Sequence, residues 1–167
     1  MERCMIDIES LGIRPGSVVL SVGAVVFDKR GTETEMYRNI SLEDSMSHGL
    51  EIESRTLKWW MEQGEEAKKC LDGDMSLEHA LGGLETMIDE TVEVWAKSPK
   101  VDLSLLESVY DAVGMEEPWH YSKTRDMRTL ISTTDVDYTK VEPETKHHAL
   151  DDARAQAEGV SEILRKM

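Results

Sequence analysis

Asp7 and Glu9 stand two residues apart in R-C-M-I-D-I-E-S-L-G at 3–12. Asp102 follows a short loop in K-S-P-K-V-D-L, and Asp152 lies just after a histidine pair, His147 and His148, in K-H-H-A-L-D-D-A-R. Carboxylates are hard oxygen donors of the kind that hold Mg²⁺ or Mn²⁺. Two such ions about 3.5–4 Å apart can hydrolyse a phosphodiester: one helps generate the attacking hydroxide and the other stabilises the leaving oxygen. Four carboxylates are enough for both ions, and a neutral imidazole can take the proton from the water.

The elements that must position these residues follow from periodicity. In the first stretch Ile6 and Ile8 alternate with Asp7 and Glu9, so a strand would carry both carboxylates on one face. Like charges so close repel unless cations collect beside them; the plain alternative is the solvated face of an edge strand. Val18 to Phe27 reads as a strand buried on both faces, D-K-R-G at 28–31 as a turn, and Thr32 to Ile40 as a third, more polar strand. Ser54 to Gln63 reads as a helix with Leu57, Trp60 and Met61 on one side. Its neighbours Trp59 and Trp60 diverge by about 100°, so at most one faces the core. Each aromatic face is also a candidate platform for a nucleic-acid base.

A second helix from Ser76 carries Leu77, Ala80, Leu81, Leu84 and Ile88 on its inner stripe. Val92 to Trp95 is a short strand. Asp102 then opens a helix that ends at Gly114, with Leu103, Leu106, Tyr110 and Val113 inward; Asp102 alone is equally an N-cap. Within 116–146 a short helix is expected in R-D-M-R-T-L-I, followed by a polar loop. The last helix, Ala149 to Lys166, faces inward through Ala149, Ala153, Ala157, Val160 and Leu164. Asp151 and Asp152 in its first turn also suit the helix dipole. Helical spacing alone pairs His148 with Asp152, four residues on, and leaves His147 open if it precedes the helix.

Composition narrows the classes. A chain of 167 residues with 40% hydrophobic and 32% charged residues suits one globular domain. The formal net charge of −15 excludes a non-specific nucleic-acid coat, whose affinity rests on Lys and Arg. It does not exclude an enzyme on nucleic acid, because bound divalent ions invert the local charge of an acidic cleft. Cys4 and Cys70 have no C-x-x-C spacing and read as buried free thiols of a reducing compartment. No stretch reaches the apolar length of a membrane span, and the N-terminus lacks a signal-type run.

The order D-I-E near the start, V-D-L-S-L-L in the middle and H-H-A-L-D-D-A near the end resembles the DEDD superfamily of 3′-to-5′ exonucleases, in its DEDDh subtype. H-x-x-x-x-D puts the histidine of that subtype at His147 and the last carboxylate at Asp152, against the spacing preference for His148. D-I-E-S-L-G with the Val-rich strand ending V-F-D, T-L-K-W-W-M-E-Q and R-D-M-R-T-L are similar to the DexA-type phage exonucleases and to compact bacterial RNase AS-like exoribonucleases. The likeness covers nearly the whole chain. One stretch departs from it: W-A-K-S-P-K-V-D stands where the family tends to have Gly and an aromatic before the middle Asp.

The resemblance implies a single 3′-5′ exonuclease domain over 1–167 with an α/β, ribonuclease H-like (RNase H-like) fold: a mixed five-stranded sheet, its first three strands antiparallel, flanked by helices. It implies that Asp7, Glu9, Asp102 and Asp152 ligate two Mg²⁺ or Mn²⁺ ions with His147 as general base. Single-stranded RNA or DNA with a free 3′ end would be cut to nucleoside 5′-monophosphates. Ser10, Leu11 and Gly12 would hold the terminal nucleotide, with Leu11 wedged against its base. Lys97 and Lys100 are candidate phosphate contacts. A homodimer and a cytoplasmic location in a bacterial or phage-infected cell are expected by the same analogy. Two other classes compete: an acidic binding protein that mimics nucleic acid, and a phosphodiesterase or nucleotidase on small substrates.

Overall fold

The computed structural model describes residues 2–136 and 140–167. Residues 137–139 of the expected polar loop lie outside the described residues. The strands are β1 (Arg3–Ser10), β2 (Val19–Asp28), β3 (Gly31–Asn39), β4 (Glu93–Ala96) and β5 (Thr124–Asp126). The helices are α1 (Leu42–Ser47), α2 (Ser54–Met61), α3 (Glu65–Lys68), α4 (Leu77–Glu85), α5 (Pro99–Val113), α6 (Met127–Thr133) and α7 (Ala149–Lys166). β1 to β3 pair antiparallel, and β4 and β5 join in parallel on the far side of β1, giving the order β3-β2-β1-β4-β5. The mixed five-stranded sheet is the expected one.

Period-2 alternation sorts the central strands between two cores. Cys4, Ile6 and Ile8 of β1 and Val22 and Ala24 of β2 pack under the side that carries Leu81 and Leu84 of α4 and Leu103 and Leu106 of α5. Met5, Val25, Phe27 and Trp95 face the other way, against Leu150, Ala153, Ala157 and Val160 of α7 and Met127 of α6. Asp7 and Glu9 share the parity of Met5 and therefore point to the α7 face. Both cysteines are free and buried. Among the described residues no helix is long and apolar enough to cross a membrane.

Several elements differ from the sequence expectation. α2 buries Trp60 but leaves Leu57 and Met61 39% and 70% exposed, so the three do not form one inner face. This two-turn helix touches the core through one indole, whose Nε1–H donates to the Ser10 carbonyl at 2.9 Å. α5 begins at Pro99 rather than at Asp102, because the fixed φ of proline and its missing N–H suit a first helical position. Asp102 is thus one turn inside the helix and is not its N-cap. β5 takes Arg125 and Asp126, expected to begin a helix, together with Thr124, and three residues are too few for either period to show. α1 and α3 are short for the same reason and carry no stripe. Gly114, with φ of 70°, ends α5 as expected.

The register of β1 against β2 sets Asp7 opposite Gly23 and Glu9 opposite Ser21. Small residues there let α7 approach the sheet. A Cβ on Gly23 would fall 2.3 Å from the Ala149 carbonyl carbon and the Leu150 nitrogen, closer than atoms can sit. Gly23→Ala is therefore expected to destabilise the fold by about 1–3 kcal/mol through overpacking, read as a melting temperature lower by about 3–10 °C. An unchanged melting temperature would mean that α7 stands further from β2.

Candidate active site

The first turn of α7 and the carboxyl end of β1 bring three acids together. Asp7, Glu9 and Asp152 each offer a carboxylate oxygen, and these atoms lie within 4.8 Å of one another. Asp102 approaches from α5, near enough for its charge to act on Asp7 and Glu9. Its own carboxylate accepts the Ser98 N–H at 3.2 Å, which ties the β4–α5 loop to the start of the helix.

Burial dominates the electrostatics. Glu9 is only 9% exposed. Its carboxyl is pushed up to about 9, first by desolvation and then by the charges of Asp7, Asp152 and Asp102. Desolvation likewise holds Asp7 well above the usual carboxylate range, with Asp102 and Asp152 adding to it and a hydrogen bond from Gln156 opposing it. Asp102 is raised to about 6 and Asp152 is raised, both by burial, against backbone N–H groups that favour the charged forms. Lys97 attracts Asp7, Asp102 and Asp152, and Arg128 attracts Asp102, only as minor influences. Once ionised, the acids therefore have their negative charge largely uncompensated by side-chain cations. Hard oxygen donors with unbalanced charge fit Mg²⁺ or Mn²⁺ better than a soft metal.

The two histidines have different tasks. His148 is the N-cap of α7: its Nδ1 accepts the Asp151 N–H at 3.4 Å, and its ring stacks on Tyr37 at 4.4 Å. His148 has extended backbone at the cap, so helical spacing does not set where its side chain points. His147 precedes it with φ of 61°, a left-handed conformation uncommon outside glycine. Its N–H donates to Asp152 Oδ2 at 3.0 Å. Its ring stands edge-on to Trp59 at 4.8 Å and to Trp60 at 6.4 Å. Trp60 is buried and Trp59 half-exposed, as adjacent helical positions require.

The segment after β1 corrects part of the expected nucleotide site. Leu11 is fully buried in the core and does not reach a base. Gly12 serves packing: a Cβ there would fall 2.2 Å from Ser17 Oγ and 2.8 Å from Glu53 Oε1. The Glu53 carboxylate gathers this loop by accepting the Ile13 and Arg14 N–H groups. Ser10 does line a cleft, shared with Glu9, Ile13, Arg55, Trp59 and Trp60, although its hydroxyl donates to the Gly12 carbonyl at 2.6 Å.

A second cleft, of about 290 Å³, is lined by Asp152 and His147. Lys97, Arg128, Lys140 and Lys146 line it together with Met127 and Ile131. Lys97 thus faces the site as expected, whereas Lys100 is exposed on α5 and does not line this cleft. Arg128 and Gln156 belong to the site and were not singled out from the sequence. Gln156 stands four residues after Asp152, so the helical period that links Asp152 to its own face was the available signal.

A profile of the "3'-5' exoribonuclease Rv2179c-like domain" matches residues 2–164. No curated protein matches the chain significantly. Among solved structures, E. coli exonuclease I in a zinc-bound complex with single-stranded DNA is similar with a TM-score of 0.71 at 8% identity, over 99% of this chain and 41% of that one. The same E. coli enzyme with a dT13 oligonucleotide gives 0.70 at 10% identity, over 97% of this chain and 40% of that one. The chain spans about two fifths of those chains. At such identity the likeness is one of fold, and it supports the ribonuclease H-like architecture.

The raised carboxyls link stability to pH. A carboxyl whose folded pKa exceeds its unfolded value stabilises the fold at low pH, and that contribution is lost as pH rises through the folded pKa. The metal-free chain should lose stability from about pH 4, the unfolded range of Asp and Glu, up to the value of about 9 at Glu9. Divalent cations compete with those protons. Mg²⁺ or Mn²⁺ should therefore raise the melting temperature little at pH 5 and far more at pH 8. At a hundredfold excess over Kd the gain is about 2.7 kcal/mol, or about 5–10 °C, reversed by EDTA. Melting curves indifferent to metal at both pH values would count against cation binding.

Proposed function

Because the chain belongs to the family of Rv2179c-like 3′-5′ exoribonuclease domains, we propose that it hydrolyses nucleic acid from a free 3′ end, releasing nucleoside 5′-monophosphates. The carrying observation is the convergence of Asp7, Glu9 and Asp152 within 4.8 Å, with Asp102 beside them. Asp7, Glu9, Asp102 and Asp152 would hold two Mg²⁺ or Mn²⁺ ions. Such ions supply Lewis-acid polarisation of the phosphate and neutralise the charge that develops on it.

The remaining chemistry belongs to the chain. His147 takes the proton of the attacking water as general base. Its backbone N–H on Asp152 and its edge-on contacts with Trp59 and Trp60 limit where the ring can go. Lys97 and Arg128 favour the approach of phosphates to an otherwise acidic protein. The half-exposed Trp59 borders the cleft that Ser10 lines and offers a stacking face to a terminal base. RNA is the polymer that the family description favours, and a dT13 oligonucleotide is the one in the E. coli structure. The convergence of Asp7, Glu9 and Asp152 within 4.8 Å argues against a nucleic-acid mimic, which needs negative charge but not this arrangement.

A time course on 5′-labelled single-stranded RNA and DNA, with Mg²⁺, Mn²⁺ or EDTA, tests this reading. A metal-dependent ladder shortening from the 3′ end is expected, and Asp102→Ala should abolish it while far-UV circular dichroism is preserved. No ladder on either polymer from folded, metal-loaded protein would refute the exonuclease reading. His147→Ala should slow turnover by about 10²–10⁴-fold. His148→Ala should mainly cost the cap, about 0.5–2 kcal/mol of stability. The reverse order of turnover effects would reassign the base to His148.

A further inference from the structure

Gln156 is 6% exposed and lies on α7 one turn beyond Asp152. Its Nε2 donates to Asp7 Oδ1 at 2.7 Å, a short bond between two groups 149 residues apart. Its Oε1 is buried and has no hydrogen-bond partner among the described residues. Stability alone gives no reason for such an amide, since a buried acceptor without a donor is unfavourable and an apolar side chain of the same shape removes the penalty.

We propose that Gln156 is a positioning residue, which holds the Asp7 carboxylate in the orientation needed to ligate a divalent cation. The inference rests on the metal-dependent reading given above. A donor to Asp7 could be Lys, Arg or a neutral amide. A cationic donor would neutralise the carboxylate and repel the incoming ion. The amide fixes the carboxylate through a hydrogen bond without adding charge, and the oxygen it touches keeps a second lone pair. Because α7 also carries Asp152, one helix supplies a carboxylate directly and orients a second one on β1. Loss of a hydrogen-bonded partner of this kind typically costs a metal site about ten- to a hundredfold in affinity.

The test is the binding of Mn²⁺ to the intact chain, followed by electron paramagnetic resonance of the free ion, for wild type, Gln156→Met, Gln156→Leu and Asp7→Asn. Gln156→Met keeps the shape and loses the amide; Gln156→Leu repeats the loss with a different packing. Both should raise the Mn²⁺ dissociation constant by about ten- to a hundredfold. They should lower kcat, leave KM for a labelled oligonucleotide unchanged, and leave the melting temperature of the metal-free protein unchanged or higher. Wild-type Mn²⁺ affinity in both Gln156 variants, with binding lost in Asp7→Asn, overturns the role of Gln156 alone. A lower metal-free melting temperature with unaltered affinity assigns Gln156 to structure and likewise overturns it. Wild-type affinity in Asp7→Asn as well overturns the metal reading itself.

Discussion

Crowding carboxylates in a desolvated place is the constraint on which this structure turns. Asp7, Glu9 and Asp152 come within 4.8 Å of one another, with Asp102 adding its charge. Nothing in a protein's own interest in stability favours that arrangement. Each carboxyl is raised, and burial is the first cause in every case. A fold that holds these acids together has to supply rigid supports from several directions. The central strand β1 carries two of them, the long helix α7 a third, and α5 the fourth.

The supports are made of small residues as much as of large ones. Gly23 and Ser21 stand opposite Asp7 and Glu9, and Gly23 admits the main chain of Ala149 and Leu150. Ala153 and Ala157 continue the contact along α7. The close approach brings the first turn of α7 over the end of β1, which is why Asp152 and Gln156 both reach the neighbourhood of Asp7. The same approach separates the histidines. His148 is used up as a cap and by its stack on Tyr37, while His147, in a left-handed conformation, is turned toward the tryptophans and the cleft.

Global charge and local charge diverge in this protein. The chain carries a net charge of −15, yet Lys97, Arg128, Lys140 and Lys146 line one cleft that adjoins Asp152 and His147. Glu142 lines the same cleft and pairs with Lys140 and Lys146, so the charge balance there differs from the distant average without being uniformly positive.

What the sequence determined by itself were the long periodic elements and the identities of the acids. β1, β2 and α7 each carry enough alternation or apolar stripe to show their type, and D-x-E, the middle Asp and H-x-x-x-x-D stand in an order legible without coordinates. Short elements escaped because three or four residues contain no clear period, as with β5 and α3. Tertiary structure alone decided which neighbour of a pair turns inward. Leu11 looked like a nucleotide contact but fills the core, Leu57 and Met61 looked internal but face solvent, and Asp102 lies inside α5 because Pro99 starts it. It also decided that Gln156 belongs to the site: the helical period puts Gln156 on the face of Asp152, but its hydrogen bond to Asp7, spanning 149 residues, depends on the packing of α7 against β1.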